Sequence, residues 1–71
     1  MSKLSDAQKN FDLRVQTMMC VVKYCESRLK SKKGVGEAFY RDMVANAEYI
    51  HKLSGQAMSD AERLVILHEG E

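Results

Sequence analysis

Apolar residues recur along the first thirty positions at spacings of three and four. The series Leu4, Ala7, Phe11, Val15, Met18, Val22, Cys25, Leu29 keeps its phase throughout. A strand would alternate every second residue, so this pattern predicts an amphipathic helix. A second series predicts another: Phe39, Met43, Ala47, Ile50, Ser54, Ala57, Ala61, Leu64 or Val65, His68. Between them lies "SKKGVGE", where Gly34 suits the position just past a helix end and Lys30, Lys32 and Lys33 complement its dipole. Ser5 with Gln8 forms a capping-box pattern at the start of the first helix, and Glu37 places favourable charge at the start of the second.

The predicted fold is all-α: one domain over residues 1–71, with helix 1 at about 6–32, a turn at 33–36 and helix 2 at about 37–68. So short a turn makes the helices antiparallel neighbours in a helical hairpin, with Leu29 against Phe39 and Phe11 against Ala57. Gly55 is unfavourable in a helix interior, and Ser59 with Glu62 repeats the capping-box pattern. A continuous second helix is expected, with a kink or break near Gly55 as the alternative.

A second pattern overlies the first. Leu13, Thr17, Cys20 and Tyr24 follow spacings of four, three and four on nearly the opposite side of helix 1. Tyr49, Leu53 and Leu67 are a weaker counterpart on helix 2, and Val21 fills the flank between the seams. Leu64 to Leu67 would stay partly bare at the far end. A lone hairpin cannot cover both faces, and exposed apolar patches of this kind mark interfaces. Leu13, Thr17, Cys20, Val21, Tyr24, Tyr49, Leu53, Leu64 and Leu67 are therefore the expected contacts with a partner. That partner is a second copy, giving a dimeric four-helix bundle or higher oligomer, and a different protein besides. Methionine suits adaptable surfaces, which brings Met19 and Met58 into view, whereas Met18 and Met43 fall on the main stripes.

Composition narrows the remaining possibilities. The chain has 71 residues, no proline, four glycines and a formal net charge of +1. A chain this short has marginal stability alone and commonly needs a partner. Balanced charge gives no general pull towards nucleic acid or an anionic membrane. The run "MMCVV" is far shorter than the roughly 20 residues a spanning helix needs. The start "MSKLSDAQKN" lacks the apolar stretch of a signal peptide, so a cytoplasmic protein, or one exported without a cleaved signal, is expected. Cys20 and Cys25 lie about 140° apart around one helix and cannot bridge each other. They are expected as reduced, buried thiols, with an intermolecular disulfide or a redox switch as the alternative.

No nucleophile and base are paired, so no catalytic residue is assigned and no enzyme is expected. Cys20 with Cys25 and His51 with His68 have the ligand types for zinc, but neither pair has the i,i+3 or i,i+4 spacing of helical metal ligands, so neither a metal nor another cofactor is expected. Glu26 with Lys30, and Glu48 with Lys52, are supporting pairs along the helix surface. One basic cluster, Arg28, Lys30, Lys32 and Lys33 with Arg41 a turn beyond, could hold an anion at the start of helix 2. A phosphate-containing ligand, a nucleotide or nucleic acid is the alternative reading there. Glu37 and Asp42 weaken it.

The expected function is a small non-enzymatic interaction module: a chaperone-like, adaptor or inhibitor subunit that oligomerises and binds a partner protein through an apolar helix face. The alternatives are the anion binder and a structural subunit of a larger assembly. The layout resembles, in architecture alone, the helical-hairpin co-chaperones that guard type III secretion needle subunits.

Overall fold

The computed structural model describes residues 3–31, 33 and 36–70. Two helices account for nearly all of them: α1 from Lys3 to Ser31 and α2 from Glu37 to Glu69, packed against each other as a hairpin. The molecule is a rod of 55 × 16 × 15 Å with a radius of gyration of 16.3 Å. A compact chain of this length would have a radius of about 11 Å.

Both helices run longer than expected at their outer ends. α1 is already helical at Lys3, so Ser5 lies inside it rather than capping it. α2 passes through Gly55 and Ser59 as one element, so neither the glycine nor the second capping-box pattern ends it. Gly36 precedes α2 in an extended conformation, and its carbonyl accepts from the Phe39 N–H at 3.1 Å. At the other end the Gly70 N–H donates to the Ile66 carbonyl at 3.0 Å. Gly34, expected to follow the last turn of α1, lies outside the described residues.

Burial repeats every seven residues on both helices. On α1 the inward positions are Leu4, Ala7, Phe11, Arg14, Met18, Val21, Cys25 and Arg28; on α2 they are Phe39, Met43, Asn46, Ile50, Leu53, Ala57, Asp60, Leu64 and Leu67. Lys9, Gln16, Lys23 and Lys30 are exposed at the outermost position of successive heptads of α1. Arg41, Glu48, Gly55, Glu62 and Glu69 do the same on α2. This is coiled-coil patterning: alternating steps of three and four, averaging 3.5 residues per turn rather than the 3.6 of a straight helix.

That difference corrects the seam. Stripes traced at 3.6 drift outward by one position every few turns. Val22, Leu29, Ala47, Ser54 and His68, expected inside, are exposed, and Val21, Arg28, Asn46, Leu53 and Leu67 take their places. Leu29, expected against Phe39, is half exposed, and the Arg28 guanidinium lies over the Phe39 ring, 5.5 Å from its centre.

Two polar layers interrupt the seam and fix its register. Near the open end, Arg14 donates from Nη1 to Gln56 Oε1 at 2.8 Å and from Nε to Asp60 Oδ2 at 3.2 Å. Near the turn, Arg28 meets Asp42 at 3.6 Å, and the Tyr24 hydroxyl donates to the same carboxylate at 3.1 Å. Arg14 with Gln56 and Arg28 with Asp42 both centre on position 35, so the two layers agree on one alignment of the helices.

Candidate interaction surface

Of the nine residues expected to meet a partner, four belong mainly to the hairpin itself. Leu53 is among its buried residues, and Val21, Leu64 and Leu67 are half-buried along the same seam. A side chain spent on the intramolecular seam has little surface left for another chain. The other five, Leu13, Thr17, Cys20, Tyr24 and Tyr49, are exposed. Cys20 and Cys25 are both free thiols; Cys20 is exposed and Cys25 half-buried, so neither is the buried thiol expected.

Leu13, Thr17 and Tyr49 do come together. With Asn10, Arg14 and the edge of Leu53 they line an open groove of about 300 Å³ between the helices. Thr17 donates its hydroxyl to the Leu13 carbonyl at 2.9 Å, so that group is satisfied within its own helix. Arg14, one of the lining residues, is itself bonded to Gln56 and Asp60. Tyr24 continues the same side towards the turn but is held by Asp42 of α2.

A second exposed face lies opposite. Val22 is nine residues from Leu13 and Met58 nine from Tyr49, which at 3.6 residues per turn is about 180° around each helix. Leu13 and Tyr49 share the groove, so Val22 and Met58 share the far side. By the same phase Met19, Leu29, Tyr40, Val44 and Val65 flank them there. All seven are substantially exposed. Tracing α1 and α2 without supercoiling hides this face, because Val22 and Leu29 are then counted as core. Strict alternation of threes and fours would have placed them outside.

The basic cluster is largely neutralised. Arg28 pairs with Asp42, Lys30 with Glu26 at 3.2 Å, and Arg41 with Glu37 at 2.9 Å. Arg28 also lies over the Tyr24 ring, 5.9 Å from its centre. Lys33 is exposed, and Lys32 lies outside the described residues. Glu37 and Asp42, the two acids noted beside the cluster, thus take its two arginines. His51 and His68 are both exposed, and among the described residues no group of three His, Cys, Asp or Glu side chains is placed to hold a metal ion. No described helix is long and apolar enough to cross a membrane.

Comparison with protein-family models, with curated proteins and with solved structures found no match.

Proposed function

We propose that this protein is a non-enzymatic interaction module, a helical rod that works by associating with a second copy of itself and with a partner protein. The observation that carries this reading is its unfinished burial. Among the described residues Ala7, Phe39, Leu53 and Ala57 are buried, while eleven large apolar side chains are 40–68% exposed. The surface totals 5574 Å², where a compact chain of this mass would expose about 4,500 Å². A two-helix seam cannot cover the apolar area that this sequence carries, and association is the ordinary way to cover it.

The groove lined by Leu13, Thr17 and Tyr49 suits the partner protein. It is open, mixed in polarity, and has an anchored arginine in its lining, so one apolar side chain of a partner helix could seat there beside a hydrogen bond to Arg14. An exposed surface of this kind would suit a chaperone-like, adaptor or inhibitory role.

Light scattering coupled to gel filtration tests the reading. The expected result is a species of at least twice the chain mass that dissociates on dilution. A stable, fully helical monomer at every concentration up to the millimolar range would sink it, because the exposed apolar surface would then need no cover.

A further inference from the structure

We propose that the self-association surface is the face opposite the groove, built around Met19, Val22, Val44 and Met58, and that a second copy of this chain packs on it to make a two-fold four-helix bundle. This rests on the reading of the protein as an associating module and assigns the face that does it.

Size is the first argument. Two separate hairpins expose twice 5574 Å², well above the roughly 7,500 Å² of a compact particle of twice the mass. A stable interface needs about 1,200–2,000 Å² in total. One side of the rod, 55 Å by 16 Å, projects about 900 Å², close to the roughly 800 Å² each partner gives to a standard interface. A single face therefore has the required area.

Charge chooses between the two faces. In a two-fold dimer each surface meets its own copy, so charges close to the axis tend to meet charges of the same sign. The groove side carries Asp6, Asp42, Lys52 and Arg63 together with the polar contacts of Arg14. On the opposite side, α1 presents only Val15, Met19 and Val22 between Asp12 and Glu26. Along α2 no position on that side from Tyr40 to Val65 is Lys, Arg, Asp or Glu. By the same alignment Asp12 lies level with Met58 and Glu26 level with Val44, so the stretch between them, around Met19 and Val22, is where the face can meet itself without a like-charge penalty, with each acid on the α1 edge beside an apolar α2 residue.

Small and large side chains are also segregated there. Ala47, Ser54 and Ala61 recur every seven residues along α2, next to the larger Val44, Met58 and Val65. A neighbouring helix can approach closely along the small positions while the large ones close over its sides. Met19 and His51 lie midway along the rod. Any change at either is therefore close to the two-fold axis and to its own copy.

The test is sedimentation velocity on the full chain over a range of concentrations, with helicity followed by circular dichroism. Wild type is expected to be a dimer. Val44→Glu with Met58→Glu should weaken dimerisation at least about a hundredfold, because each change would bury an unpaired charge in the interface. Leu13→Glu with Tyr49→Glu should change it by less than about threefold, as exposed substitutions usually do. So that the outcome does not depend on charge-bearing variants staying folded, Cys20 and Cys25 are replaced by serine and a single cysteine is placed at Val22 or at Leu13. A bifunctional maleimide should capture the Val22→Cys protein as a covalent dimer and leave the Leu13→Cys protein monomeric. The reverse capture, or dissociation by the groove pair alone or by both pairs equally, overturns the face assignment while leaving association intact. A wild-type monomer at all concentrations overturns both the assignment and the function it rests on.

Discussion

Arg14 and Arg28 occupy equivalent seam positions two heptads apart, yet the two halves of the hairpin use them differently. In the open half, Arg14 reaches two acceptors one turn apart on α2, Gln56 and Asp60, and the ion pair is only 34% and 22% exposed. In the turn half, the Arg28–Asp42 pair is longer and wetter, 42% and 36% exposed, and the guanidinium lies near the Tyr24 and Phe39 rings. Arg14 is mainly a register device: a polar group at a seam position that is satisfied in only one alignment of the helices. Arg28 is mainly a cover, spending its charge at the rim and its flat face on Phe39.

The sharpest way to break this comparison is to remove the two carboxylates separately. Asp60→Ala leaves the part-buried Arg14 with Gln56 alone, and should cost about 1–2 kcal/mol at fixed protein concentration. Asp42→Ala removes contacts to Arg28, Tyr24 and Asn46, more than Asp60 makes. Water reaches this half-buried site more readily than Asp60 and replaces much of what is lost, so the expected cost is below about 1 kcal/mol. Urea melts of the two variants beside wild type check the order. A larger loss at Asp42 would mean that contact number, rather than burial, governs these layers.

The halves differ also in helix propensity. Gly55 sits in the open half of α2, exposed, and a methyl group added there meets nothing within 4 Å. Gly55→Ala should stabilise the protein by about 1 kcal/mol, seen as a higher thermal midpoint with unchanged association. A loss of stability instead would show that the backbone near Gly55 needs glycine, and that α2 bends there.

Much of this architecture is written in the spacing of apolar residues. Two helices packed as a hairpin follow from apolar spacings of three and four, and helix 2 runs through Gly55 because the apolar pattern on either side outweighs one poor residue. The finer assignment fails for a physical reason. Arg14, Arg28, Asn46 and Asp60 are inward positions held by polar side chains, so they do not register as core. Without them the apolar series relaxes to 3.6 residues per turn and absorbs Val22, Leu29 and Ser54 in place of Val21, Arg28 and Leu53. The second seam was half visible: Leu13, Thr17 and Tyr49 do share a groove, but Leu53 lines it as part of the hairpin. Cross-helix bonds such as that of Tyr24 depend on register, which no single helix's periodicity reveals.

Tyr24 sharpens the comparison at its smallest scale. Its exposed ring suits an external surface, whereas its hydroxyl is committed to Asp42 within the hairpin. Tyr24→Phe keeps the ring and removes only that bond. For a solvent-exposed hydrogen bond to a carboxylate the expected loss is about 0.5 kcal/mol. The informative measurement is a double-mutant cycle with Asp42→Ala, in urea melts at one protein concentration. A coupling of a few tenths of a kcal/mol would place Tyr24 in the turn layer, as part of what aligns the helices. Zero coupling, with a normal loss of affinity for a partner protein in the Tyr24→Phe chain, would instead assign the hydroxyl to the outer surface. The first outcome is expected, because Asp42 already faces Arg28, and a carboxylate held by one donor is well placed to accept a second from the same helix one turn away.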